Sequence, residues 1–107
     1  MEDYVIEAIS RIKEWALANG YEVCGKDSWQ REYSFVNIKL RIKAGCFDPR
    51  YVALRVEYVF KDGLMYDWVE SLWVVNHTLD FNSYMQRTIV SGCYKYVDKV
   101  LFDKGKA

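Results

Sequence analysis

Val36, Ile38, Leu40 and Ile42 occupy every second position of the stretch SFVNIKLRIK, with Asn37, Lys39, Arg41 and Lys43 between them. Successive side chains of a strand point to opposite faces, so this period of two predicts a strand with one apolar and one charged face. The pattern returns in YVALRVEYVF, where Val52, Leu54, Val56, Tyr58 and Phe60 share a face. A different period governs the N-terminus. From Asp3 to Asn19, Val5, Ala8, Ile9, Ile12 and Ala16 recur at helical spacing, which predicts an amphipathic helix with Glu7 and Arg11 as an i,i+4 pair and Asn19-Gly20 as its C-terminal stop.

The remaining segments follow from these anchors. YEVCG reads as a short first strand, KDSWQRE as a loop, and AGCFDPR, with the only proline, as the loop between the two alternating strands. Asp62-Gly63 between β-rich runs signals a two-residue hairpin turn. That turn sets Lys61 opposite Leu64 and, moving outward, Phe60 opposite Met65, Val56 opposite Val69, Arg55 opposite Glu70 and Val52 opposite Trp73. On this register residues 64–75 form a strand whose apolar face coincides with that of its neighbour. The last element spans about Asp80 to Asp103, a helix with Phe81, Met85, Ile89, Cys93, Tyr96 and Val100 along one face, Asp80 or Asn82 as its cap and Gly105 at its end. Gly92 on that face costs helix stability and implies a close approach to another element.

Both helices must bury a stripe, and the sheet has one apolar face. The expected fold is therefore α+β: a single domain over residues 1–107, with an antiparallel meander of three to four strands and an N-terminal and a C-terminal helix packed on one face. The length of 107 residues suits one core. An aromatic content of 17 %, with four Trp, nine Tyr and five Phe, exceeds what a core of that size needs, so some rings should reach the surface.

Lys and Arg number 15 against 15 Asp and Glu, so no net field draws the chain to nucleic acid or an anionic membrane. The basic residues are concentrated in the middle, seven against three acidic between 31 and 61. An acidic N-terminus and the lack of a long apolar run predict a cytoplasmic protein with no membrane association. Cys24, Cys46 and Cys93 are odd in number and widely spaced, which favours reduced thiols.

Candidate chemistry is sparse. Asp67 and Glu70, three apart on a strand, point to opposite faces and cannot share a substrate atom. His77 lies in a connection, where a histidine is ordinarily solvated. No cysteine stands in a nucleophile context, no Cys or His spacing suits a metal, no Gly-rich phosphate loop occurs, and no cofactor is implied. What remains is the outward sheet face, where the register above places Lys39, Arg41, Lys43 and Arg55 among Tyr51, Tyr66, Trp68 and Leu72. Of these, Lys39, Arg41, Arg55, Tyr66, Trp68 and Leu72 form the candidate protein-binding surface, because Trp, Tyr and Arg dominate interface energetics. The expected function is that of a small non-enzymatic interaction module that binds, and can inhibit, a protein partner. Phage-encoded inhibitors of host defence enzymes share this short, neutral, aromatic-rich character. A single-stranded nucleic acid on the basic and aromatic face is the second reading, and a small enzyme using a thiol or a carboxylate is the third. Leu72 and Val74, outward in the run LWVV, add the expectation of a homodimer through the final strand or the outer face.

Overall fold

The computed structural model describes residues 3–33, 38–48, 51–61, 63 and 65–89. Helix α1 spans Asp3–Ala18 and buries Val5, Ala8, Ile12, Trp15 and Ala16. Its end is closed as the Asn19-Gly20 pair predicts. Gly20 takes φ +81°, and the Gly20 and Tyr21 amides bond back to the Leu17 and Ala16 carbonyls, the two bonds of a Schellman cap.

Five antiparallel strands follow in a meander: β1 (Glu22–Gly25), β2 (Ser28–Tyr33), β3 (Ile38–Asp48), β4 (Tyr51–Phe60) and β5 (Met65–Ser71), in spatial order β1-β2-β3-β4-β5. The α+β class with an antiparallel sheet is thus as expected, with five strands instead of three or four. The additional strand is β2, which replaces the expected loop. Asp27, at φ 50°, turns the chain tightly, and pairing with β3 sets Trp29 opposite Ile42 and Tyr33 opposite Ile38. Those two rings anchor an otherwise polar segment in the core. Strand β3 also runs further than expected, through Gly45 and a bulge between Cys46 and Asp48, into the segment read as a loop. Val36 lies outside the described residues.

The β4–β5 register departs from expectation by one residue. Arg55 faces Val69, Val56 faces Trp68, Tyr58 faces Tyr66 and Val59 faces Met65. The cause is in the turn: Gly63, at φ +91°, donates its N–H to the Phe60 carbonyl at 3.0 Å. A turn closed this way, with glycine in the left-handed position, holds three residues, not two. One extra residue carries every side chain of the following strand to the other face. Tyr66, Trp68 and Glu70 therefore share the inner face with Leu54, Val56 and Tyr58, and Met65, Asp67 and Val69 point outward.

The strand also stops earlier than residue 75. Ser71 caps a short helix α2 (Leu72–Asn76), its hydroxyl accepting the Trp73 amide at 3.2 Å. LWVV is consequently read at helical spacing: Leu72 and Val75 are buried, whereas Trp73 and Val74 are exposed, which reverses the expected sides of Leu72 and Trp73 and keeps those of Val74 and Val75. After a link at 77–80, a third helix, α3, covers 81–89. Asp80 caps it through its Oδ1, which accepts from the Ser83 amide at 3.2 Å; the Ser83 side chain first, and then this amide, hold the Asp80 carboxyl below its usual range. The expected continuation toward Asp103, with Cys93, Tyr96, Val100, Gly92 and Gly105, lies outside the described residues.

The three described helices lie on the inner face. The core joins Ile12 and Trp15 of α1 to Leu40, Ile42, Leu54, Val56 and Tyr58 of the sheet, Leu72 and Val75 of α2, and Met85 and Ile89 of α3. Burying each large aliphatic chain contributes about 1.5–3 kcal/mol. The expected Glu7–Arg11 pair is not formed. The Arg11 guanidinium instead donates to the Asn76 and Thr78 carbonyls and stacks 4.3 Å from the Phe81 ring, while Glu7 accepts from the Asn76 amide at 3.5 Å. A cation on the Asn76 carbonyl that ends α2 satisfies an acceptor that the helix cannot satisfy alone, and the Thr78 contact extends the grip into the link. Among the described residues no helix is long and apolar enough to cross a membrane.

Candidate functional site

The alternation of β3 and β4 puts Lys39, Arg41, Lys43, Arg55 and Glu57 together on the sheet face opposite the helices. Among the described residues no helix covers this face, yet Glu57 is only 5 % exposed. Lys43 Nζ lies 3.0 Å and Arg41 Nη1 4.0 Å from Glu57 Oε1, as an ion pair without directed hydrogen-bond geometry at that oxygen. Both cations are about two-thirds covered, their stems lying along the sheet. Beside them Arg55 reaches Asp67 Oδ2 with both Nε at 2.9 Å and Nη2 at 2.6 Å, a charge-assisted contact on one carboxylate oxygen. The cross-strand partner of Arg55 is thus Asp67, in place of the expected Glu70.

Of the six expected surface residues, Lys39, Arg41 and Arg55 stand on the outer face as expected. Tyr66 and Trp68 do not, since the register turns them to the helix side. Trp68 packs against the core, and Tyr66 stays half exposed with its ring 6.4 Å from Tyr58. Leu72 is completely buried at the start of α2 and presents nothing to a partner. The shift also affects the nucleic-acid reading. No aromatic side chain described on the outer face stands among the cations, and the Tyr51 side chain lies outside the described residues. Base stacking requires such rings.

Asp67 and Glu70 do point to opposite faces. Glu70, on the inner side, accepts a hydrogen bond from the Tyr84 hydroxyl at 2.6 Å. Burial, and then this bond, push the Tyr84 phenol well above its ordinary range. A second phenol pair, Tyr21 and Tyr33, joins hydroxyls at 2.9 Å in the core, where burial holds the Tyr21 proton strongly. A cleft of about 300 Å³ at one end of the sheet is lined by Glu32, Tyr33, Ile38, Lys39, Val59, Phe60 and Lys61. Among the described residues it gathers no histidine or thiol beside the Glu32 carboxylate. Among the described residues no group of His, Cys, Asp or Glu could hold a metal ion.

His77 closes α2. Its Nδ1 lies 2.9 Å from the Trp73 carbonyl, which can only accept, so this nitrogen carries the proton. The ring centroid lies 3.9 Å from that of Trp73, the two planes tilted by 30°, and Tyr4 of α1 meets the Trp73 ring edge-on at 5.5 Å. Trp73 is nevertheless 56 % exposed, with Val74 exposed next to it and Leu79 wholly exposed in the following link. This corner was not anticipated, because it depends on α2. Ser71 followed by apolar residues at i+1 and i+4 was the available signal.

Acidic residues border the corner. Asp3 and Glu7 flank Tyr4 on α1, and Asp80 follows Leu79, all three exposed. The nearest cation of α1, Arg11, is already engaged by carbonyls. Compared with models of protein families, with curated proteins and with solved structures, the chain matches none of them.

Proposed function

We propose that this chain is a non-enzymatic interaction module that docks a basic, amphipathic segment of a protein partner on the corner built from Tyr4, Trp73, Val74, His77 and Leu79. The observation that carries this reading is Trp73: a large ring held in one orientation by Tyr4 and His77, yet more than half open to water. A pre-ordered aromatic anchor loses little freedom on binding, and anchors of this type carry most of the energy of small interfaces. The rim of Asp3, Glu7 and Asp80 supplies the sign of the partner, favouring Lys and Arg around an apolar stripe. The outer sheet face serves this role less well, since Arg41, Lys43 and Arg55 are already committed to Glu57 and Asp67.

Calorimetric titration tests the reading with two synthetic amphipathic helices that share one apolar face, one with a lysine-rich and one with a glutamate-rich polar face. The basic peptide should bind at least tenfold more tightly, weaken with added salt, and lose at least tenfold on Trp73→Ala. Equal affinity for both peptides, or binding indifferent to Trp73→Ala in a folded variant, rejects the corner as the docking site.

A further inference from the structure

The two edges of the sheet are built differently. Strand β1 has four residues, a register irregularity between Val23 and Gly25, and Lys26 directly after it; shortness, bulging and an edge lysine all discourage another strand from pairing there. Strand β5 has none of these devices. Its seven residues, MYDWVES, contain no lysine, proline or glycine and pair with β4 without irregularity. On its other side no described strand is paired. Met65 and Val69 are exposed on the outer face and Tyr66 on the inner. Both carboxylates of the strand are already engaged, Asp67 by Arg55 and Glu70 by the Tyr84 hydroxyl, so two copies of this edge meet with little repulsion.

We infer that β5 pairs antiparallel with β5 of a second copy about a two-fold axis at Trp68, joining the two sheets into one. A register centred on Trp68 overlaps the full length of the strand. It sets Trp68 against Trp68 of the partner subunit, Tyr66 against Glu70 of the partner subunit, Asp67 against Val69 of the partner subunit, and Met65 against Ser71 of the partner subunit. No like charges face each other. Centring on Asp67 instead opposes two carboxylates, which is unfavourable, and other centres shorten the ladder. The occupant is a second copy because this one strand supplies matching lengths, apolar groups on both faces and a charge pattern that avoids itself. The inference is independent of the docking corner.

Sedimentation equilibrium at micromolar concentration should give the dimer mass. Val69→Lys, a charge placed on an exposed edge position, should give the monomer mass with an unchanged circular dichroism spectrum. The register is read by cross-linking in a background with Cys24, Cys46 and Cys93 replaced by Ser. A mixture of Asp67→Cys and Val69→Cys proteins should form an intermolecular disulfide under mild oxidation, because facing Cα atoms meet the distance such a bond needs, and neither protein alone should. A monomer at all concentrations, a dimer that survives Val69→Lys, or cross-linking of the single variants in preference to the mixture overturns the inference.

Discussion

Leu54, Val56 and Tyr58 on one side of β4, and Glu57 on the other, are all nearly closed to water, but by different means. On the inner side three helices supply the cover, and the contacts are apolar. On the outer side no described helix is available, and the long side chains of Arg41 and Lys43 cover the carboxylate they neutralise. The inner face therefore depends on close packing and on keeping its phenols protonated. The outer face depends on charge balance, so its contribution should respond to salt.

Truncating the inner face should have the largest effect. Leu40→Ala removes a fully buried side chain from the core and should cost about 2–5 kcal/mol in urea unfolding, with no dependence of the difference on ionic strength. A smaller loss for Leu40→Ala than for Glu57→Ala would invert the comparison. Glu57→Ala itself should cost about 2 kcal/mol, less than a fully enclosed pair because Arg41 and Lys43 keep a third of their surface in water. Repeating the unfolding in high salt should shrink this second difference by screening the two cations left facing each other.

Alkaline pH sharpens the same contrast. Burial foremost, then the hydrogen bond to Tyr33, raises the Tyr21 phenol far above its ordinary value. Above about pH 10 the unfolded chain releases this proton while the native chain retains it, so the stability present below that pH is lost as pH rises, by about 1.4 kcal/mol per unit. Tyr21→Phe should flatten that slope in urea titrations between neutral and alkaline pH, whereas Glu57→Ala should leave it unchanged.

The two regular strands and α1 were legible because one face of each is buried and the alternation or helical spacing is unbroken. Strand β2 was hidden because Ser28, Gln30, Arg31 and Glu32 outnumber its two anchoring rings, Trp29 and Tyr33, and only pairing with β3 reveals that the rings share a face. The β5 register depended on a single residue in the turn at Gly63, which no apolar pattern fixes: both Val69 and Trp68 are apolar, and either satisfies Val56 as a neighbour. α2 was missed because four consecutive apolar residues fit a strand with two buried faces as well as one turn of helix. The same two errors displaced Tyr66, Trp68 and Leu72 from the expected surface, whereas Lys39, Arg41 and Arg55, on well-patterned strands, stood where alternation put them.

The Arg11 clamp also sets an order of events during folding. Every strand pairs with its sequence neighbour, so the meander can zip up through short loop closures. Arg11, by contrast, reaches carbonyls 65 and 67 residues further along the chain. Closing a loop of that length has an entropic cost that is recovered only once the receiving carbonyls are in place. During synthesis α1 is made before the segments it packs on; the sheet can cover part of its apolar stripe, but the Arg11 contacts must wait until the link after α2 has been made. Its docking is a late step, and Arg11→Ala should accelerate unfolding in stopped-flow experiments while leaving the folding rate nearly unchanged.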